Sequence, residues 1–422
     1  MVHPATMAER IHILGYPQSY REVAFLHDLV EDVGKQVEDI TSMLLQIENR
    51  VSSQSNSAHG AQVALDVYFM TNLFNLVYKR KDRESLLNVE LSQTSDERNK
   101  FFNNVIHTNR RAQRDFDRAN GVKSTAIIPV QIKQDLNSFY RTLTELKAQI
   151  PETTPWKNIG EMLYAIYCER IAGECLRRYE RGDPNFDMLM TVKLIDSSDN
   201  MRTFPNTEML AIDRLLYKTR TVFDAAAHLI RAIEETEDDD LNYNANDNIR
   251  ALKEVAQILP LETLIKMSQI IDGIEHHSDT QMKHLITREL VVYDLGEHIR
   301  FFGMEDRGYV QKFMKSWEKL PGKGDGSVTR YDGDIKDHEI SLNTIGYLRS
   351  LLPIIARGAV QELEQRIDNI SMINAGKKYD AKSIPGVHPE GQINKSVIDK
   401  SVVAESAGPI KALARLRIAH FL

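Results

Sequence analysis

The chain has 422 residues, of which 42% are hydrophobic and 27% charged, with a formal net charge of −7. This composition is typical of a globular protein and the length allows two or three domains. The negative net charge argues against general nucleic-acid binding. No apolar run approaches the roughly 18–20 residues of a membrane span. We therefore expect partners that are neither nucleic acid nor membrane.

The two cysteines and the amino terminus bear on the cellular compartment. Cys168 and Cys175 lie seven residues apart within a predicted helix, too far apart to form a disulfide without breaking that helix. The first residues lack a charged segment followed by an apolar core, so no secretory signal is predicted. These features favour reduced thiols that face a core, in a cytoplasmic protein.

Apolar residues recur at helical spacing along most of the chain, and no segment alternates clearly between polar and apolar residues. The sequence therefore predicts an all-α protein. Between the helices we expect a polar linker over 52–57, an acidic loop over 234–248, a loop rich in Gly and Asp over 319–334 and an irregular region over 375–408. The predicted helices cover 7–14, 21–33, 37–47, 60–77, 136–150, 156–179, 188–202, 207–233, 249–274, 281–302, 307–319 and 342–373.

One stretch concentrates groups that can bind a metal ion. His27-Asp28 lies within an apolar run, and Glu31-Asp32 follows one helical turn later. Residues four apart share a helix face, so one surface would carry an imidazole and three carboxylates beside a core. Such crowding costs stability unless a divalent cation neutralises it. The alternative is an ordinary solvated helix end, because His-Asp pairs and terminal acidic residues are common.

Further pieces along the chain make the metal interpretation more specific. They are His3-Pro4, residues 24–32, residues 59–64 with 71–73, and residues 193–203 (Lys-Leu-Ile-Asp-Ser-Ser-Asp-Asn-Met-Arg-Thr). In order and local spacing they resemble the HD-type hydrolase domain of the RelA/SpoT homologue family, which removes the 3′-pyrophosphate from the alarmone (p)ppGpp. The resemblance covers about a third of the chain, in two separated blocks.

The resemblance implies a ligand set and a reaction. His3, His27, Asp28 and Asp196 match the family's ligands of one divalent ion, with Mn²⁺ as the expected metal. The family's catalytic acidic pair matches Glu31 and Asp32, which would orient the attacking water and accept its proton. Asn200 and Thr203 match positions that contact the nucleotide. The implied partner is a nucleotide or another phosphorylated small molecule, hydrolysed at a phosphate ester.

Three features depart from the family pattern. The family's Arg-Lys segment ahead of its His-Pro pair has no counterpart before His3, so guanine recognition is expected from elsewhere. The family's His before Asn-Met-Arg is Asp199 here. The distance from Thr71 to Lys193 is much longer than in compact members, which predicts an inserted helical subdomain.

These features predict an HD-domain-like helical core in two parts, 1–89 and 186–235, interrupted by a helical insertion over 90–185. A C-terminal helical region with irregular loops follows over 236–422. The insertion and this region are candidates for contact with a protein partner. Two alternatives stay open: an HD-type hydrolase of a different phosphorylated substrate, and a non-catalytic HD scaffold that serves interaction.

Four other histidines could suggest a second metal cluster. They are His276, His277, His284 and His298. Adjacent residues point to different faces of a helix, and no carboxylate is spaced with them as a recognisable motif. We therefore interpret them as surface or partly buried side chains.

Overall fold

A computed structural model of the chain describes residues 2–33, 40–73, 95–121, 131–132, 134–135, 138, 141, 156–204, 212–236, 243–273, 281–320 and 344–376. These residues are mostly helical and contain no strand, which confirms the predicted all-α class. No helix among them combines the length and apolar character needed to cross a membrane.

The helices differ in length from five to 31 residues. They are α1 (Val2–Ile13), α2 (Gln18–Leu26), α3 (Leu29–Val33), α4 (Ile40–Ser52), α5 (Ser57–Met70), α6 (Ser95–Asn120), α7 (Trp156–Glu180), α8 (Met188–Thr203), α9 (Ile212–Thr236), α10 (Tyr243–Gly273), α11 (Gln281–Phe301), α12 (Gln311–Trp317) and α13 (Leu352–Gly376).

The N-terminal helices differ from their predicted bounds at two places. Helix α1 begins at Val2, so His3 and Pro4 lie within its first turn, where proline is well tolerated. The predicted helix over 21–33 is divided into α2 and α3 by a turn at His27-Asp28. The His27 ring donates a hydrogen bond from Nδ1 to the carbonyl oxygen of Ala24, which in a regular helix accepts from the amide four residues later.

Two hydrophobic cores organise the helices. The first core joins α1 to α5, α7, α8 and α9 with the first half of α10 and Ile370 of α13. The second core joins the second half of α10 with α11, α12 and the start of α13, and includes Met201 of α8 and Leu216 of α9. Helix α10 therefore contributes to both cores, and Pro260 lies where the two contributions meet.

Helix α8 occupies the centre of the molecule. Every residue from Met188 to Asp199 is buried, polar residues included. It packs against α1, α2, α5, α7, α9 and α10. Because a buried polar side chain is costly without a partner, the polar groups of α8 must find partners on the helices around it.

Several sequence predictions can be compared directly with these helices. Cys168 and Cys175 are buried free thiols, as predicted. His298 is fully buried in the second core, so its prediction as a surface or partly buried side chain was wrong. Other predictions lie outside the described residues. They concern His276, His277, the side chain of His284, most of the helix over 136–150, nearly all of the loop over 319–334 and nearly all of the region 375–408.

We expect Gly296→Ala to lower the free energy of unfolding. A Cβ atom at Gly296 would overlap the indole ring of Trp317, which is fully buried in the second core. Overpacking of this kind costs about 1–3 kcal/mol. Gly173→Ala, inside α7 where a Cβ meets nothing within 4 Å, is the control and should raise stability by up to about 1 kcal/mol. Urea unfolding of both variants measures the effect, and equal stability of the two would contradict the close packing.

We also expect His298 to make the protein sensitive to acid. Burial, and then the charge of Arg220, lower the pKa of His298 from 6.5 to about 3. Protonation therefore favours the unfolded state, and stability that is complete above pH 6.5 is lost as the pH falls toward 3. Compared with His298→Leu, the wild type should lose up to about 1.4 kcal/mol more per pH unit in this range. Chemical unfolding from pH 7 to 3 tests this, and parallel pH curves would contradict it.

Candidate metal centre

Three separate parts of the chain place four ligand-type side chains together. His3 comes from α1, His27 and Asp28 from the turn between α2 and α3, and Asp196 from the buried part of α8. Ligand atoms of His3, His27 and Asp28 lie within 4.8 Å of one another. Asp196 Oδ1 lies 3.2 Å from His3 Nε2 and 3.5 Å from His27 Nε2. The structure thus brings together all four residues predicted as ligands.

The His27 ring has the orientation expected of a metal ligand. Its Nδ1 donates to the Ala24 carbonyl oxygen at 2.7 Å, so the neutral ring would carry its lone pair on Nε2. Nε2 is buried, 3.0 Å from Asp28 Oδ1 and 3.5 Å from Asp196 Oδ1, yet has no hydrogen-bond partner. A buried nitrogen that faces carboxylate oxygens without a hydrogen bond fits a divalent cation between them.

His3 is held by a residue that was not among the predicted site residues. Its Nδ1 donates to Asp199 Oδ2 at 2.6 Å, while Nε2 lies 3.2 Å from Asp196 Oδ1 and 3.8 Å from Asp28 Oδ2. In metal sites, the second ring nitrogen of a histidine ligand commonly donates a hydrogen bond to a carboxylate, which orients the ring. In the sequence Asp199 is marked only by its departure from the pattern of the family that the chain resembles, and its contact with His3, 196 residues away, depends on helix packing.

The charge of Asp196 is balanced within the protein. Burial raises the pKa of Asp196, but Lys193 and the two imidazoles outweigh burial and lower the pKa well below its ordinary range. Lys193 Nζ donates to Asp196 Oδ2 at 2.7 Å and is itself buried. Asp196 is therefore ionised, and its Oδ1 atom is the one that faces the two histidines.

The carboxylates also act on the two imidazoles. Hydrogen bonds with Asp196 and then Asp199 raise the pKa of His3 to about 9. Burial lowers the pKa of His27, but Asp196 and Asp28 outweigh it and raise the pKa to about 10. Without a cation the imidazoles therefore supply the positive charge, and a metal ion that binds them must displace those protons.

The predicted acidic pair lies next to these ligands along the chain. Asp32 is exposed on α3, and its amide donates to the Asp28 carbonyl oxygen at 2.8 Å, so the two residues share a face. Glu31 is half-buried, and its Oε1 accepts a hydrogen bond from the backbone amide of Asn72 at 2.6 Å. This contact connects α3 to the residues that follow α5.

The predicted substrate-contacting residues lie on the exposed last turn of α8. Asn200 Nδ2 donates to Asp196 Oδ1 at 2.8 Å. Thr203 Oγ1 donates to the Asp199 carbonyl oxygen at 2.7 Å. Both side chains are exposed, so they are accessible to a ligand at this end of α8.

Comparison of the chain with family models, with curated proteins and with solved structures found no match. A function for this chain is therefore inferred from the geometry of the candidate centre and from the sequence resemblance.

We expect Mn²⁺ to stabilise the wild type and to have no such effect on His27→Ala. A ligand that binds only the folded state at about 100 times its Kd adds about 2.7 kcal/mol of stability. Thermal unfolding followed by circular dichroism, with Mn²⁺ or with EDTA, measures the difference. His12→Ala is the matched control, because His12 is exposed on α1, away from the cluster. An equal Mn²⁺ effect in His27→Ala would contradict the assignment.

Proposed function

We propose that this protein is an HD-type, metal-dependent phosphohydrolase that resembles the (p)ppGpp hydrolases and removes a 3′-pyrophosphate or phosphate from a nucleotide. One observation carries the proposal. His3, His27, Asp28 and Asp196 come from three separate parts of the chain and converge around the buried Nε2 atom of His27, which faces two carboxylates without a hydrogen bond. Two imidazoles and two carboxylates form a donor set for a divalent cation, and the resemblance implies Mn²⁺.

The four converging residues would hold the ion. When bound, a divalent ion supplies Lewis acidity toward a phosphoryl oxygen and makes water easier to deprotonate. Lys193 keeps Asp196 ionised, and the hydrogen bond from Nδ1 to Ala24 leaves Nε2 as the ring nitrogen that would bind the ion. The protein itself thus prepares both groups as ligands.

The two members of the acidic pair, Asp32 and Glu31, have different roles in this proposal. Asp32 is exposed one turn after Asp28 and would accept the proton of an attacking water. Glu31 already accepts a hydrogen bond from Asn72 and holds α3 in place. Asn200 and Thr203, on the exposed end of α8, would contact the nucleotide.

We further propose the HD-like organisation of the chain, with core parts 1–89 and 186–235 and an insertion over 90–185. The packing supports a close association of insertion and core. Helix α7, within the proposed insertion, contributes Tyr167 and Cys168 to the first core, and α6 packs against α4. The region 236–422 would form the C-terminal helical part.

The main alternative is an HD-type hydrolase of a different phosphorylated substrate. Asp199 favours this alternative, because a buried carboxylate replaces the family's His beside the proposed nucleotide contacts. A non-catalytic HD scaffold is the third reading. The retention of all four ligand types and of both acidic residues argues against it.

The test is hydrolysis of a nucleotide panel that includes ppGpp and pppGpp, with Mn²⁺, read by mass spectrometry. We expect the wild type to convert ppGpp to GDP, EDTA to abolish the conversion, and Asp28→Ala to lose it because a ligand is missing. Asp115→Ala removes an exposed carboxylate of α6 and is the control.

Each outcome separates the hypotheses. Turnover of another phosphate ester, lost in Asp28→Ala, would keep the metal chemistry and assign a different substrate. Absence of turnover together with absence of Mn²⁺ binding would reject the enzyme and leave the scaffold. Equal activity in Asp28→Ala and Asp115→Ala would remove Asp28 from the site.

A further inference from the structure

We propose that Asp199, Arg10 and Glu262 form a positioning network that sets the orientation of His3, so that the affinity for a divalent cation depends on helix α10. The inference rests on the metal centre of the proposed function. The positioning network lies behind the four ligands and joins α1, α8 and α10.

Asp199 is the member that touches a ligand. Its carboxylate is fully buried, and Oδ2 accepts the hydrogen bond from His3 Nδ1 at 2.6 Å. This bond leaves His3 Nε2 directed toward Asp28 and Asp196. The other oxygen, Oδ1, accepts a hydrogen bond from Arg202 at 2.7 Å. Both oxygens are therefore in use, and the position of the His3 ring follows the position of Asp199.

Arg10 fixes the same helix at a second point. It lies seven residues after His3 on α1, which is two helical turns along the same face. Its Nη2 donates to Glu262 Oε1 at 2.5 Å and to Ser198 Oγ at 3.2 Å, and its Nη1 lies 3.8 Å from Asp199 Oδ1. With both ends held, α1 cannot slide or rotate on α8 without breaking charged contacts.

Glu262 brings α10 into the network. Its carboxylate is buried and accepts hydrogen bonds from Arg10 and from Ser198 Oγ. A buried carboxylate is costly unless it is paired and hydrogen-bonded, and here Arg10 and Ser198 belong to α1 and α8, two helices that carry candidate ligands. The neighbouring residues Leu261 and Leu264 lie in the second core. Glu262 therefore connects that core to the metal centre.

A second contact of α10 also holds α8 in place. Lys266, one turn after Glu262, donates from Nζ to the Arg202 carbonyl oxygen at 3.3 Å. Helix α10 thus holds the last turn of α8 as well as its buried part. Loss of Glu262 would leave Arg10 and Ser198 without this acceptor, and α1 could then shift with His3.

The test measures the Kd for Mn²⁺ from the electron paramagnetic resonance signal of free Mn²⁺. Outer-ligand substitutions typically weaken metal binding about 10–100-fold, so we expect Asp199→Ala to raise the Kd by that factor. Asp199→Asn keeps an acceptor for His3 and should recover part of the affinity. Glu262→Gln should weaken binding in the same direction by a smaller factor.

Matched controls separate positioning from a loss of stability. Glu254 lies on the same helix α10 as Glu262 and is 3.0 Å from Arg366 of α13, so Glu254→Gln breaks an ion pair that is separate from the network. Asp66→Asn breaks a buried ion pair between α5 and Arg178 of α7, neither of which contributes to the network. Both should lower the Tm and leave the Kd for Mn²⁺ unchanged.

A double-mutant cycle supplies an independent measurement. Arg10→Ala and Glu262→Gln act on one interaction, so the effect of the double variant on the Kd should be smaller than the sum of the single effects. Additive effects would show that the two residues act separately and would overturn the network.

The remaining outcomes distinguish the two proposals. Wild-type affinity for Mn²⁺ in both Asp199→Ala and Glu262→Gln would overturn the positioning role while the metal centre stands. Equal weakening by Glu254→Gln and Glu262→Gln would also overturn it, because the effect would then follow stability. Absence of Mn²⁺ binding by the wild type would instead reject the metal centre, and the network with it.

Discussion

Burial of α8 in the middle of the molecule is the constraint on which the rest depends. A helix surrounded by other helices has no solvated face, so its polar side chains must be satisfied by neighbours. Lys193, Asp196, Ser198 and Asp199 lie in its buried part. Their partners outside α8 come from α1, from the α2–α3 turn and from α10. The candidate centre lies where these buried polar side chains of α8 contact their partners.

The same constraint sets the electrostatics of the centre. Asp196 and Asp199 are both buried and ionised, and each lies beside positive groups that hold its pKa low. Lys193 and Arg202 supply part of that charge from α8 itself. The imidazoles of His3 and His27 supply the rest when they are protonated. A divalent cation can replace those protons without changing the sign of the charge, which is why the cluster is compatible with both states.

Elements of both hydrophobic cores hold the candidate centre. Ile195 of α8 belongs to the first core, whereas Met201 near its end belongs to the second. Helix α10 likewise divides between the cores, and Glu262 stands just after the division at Pro260. The ligands are therefore held by elements of both cores. A relative movement of the two cores would strain the hydrogen bonds that Glu262 of α10 makes to α1 and α8.

The sequence by itself determined the helical class, the two buried free cysteines and the four candidate ligand residues, because helical spacing and local motifs are properties of short segments. Those segments could not reveal Asp199, Arg10 and Glu262 as partners, since hydrogen bonds across 196 or 252 residues depend on how helices pack. Nor did periodicity reveal the turn at His27-Asp28, where a side chain bonds to the backbone carbonyl of Ala24. Tertiary structure decided that the Nε2 atom of His27 faces Asp196, because that carboxylate reaches the ring only through the packing of α8 against α2.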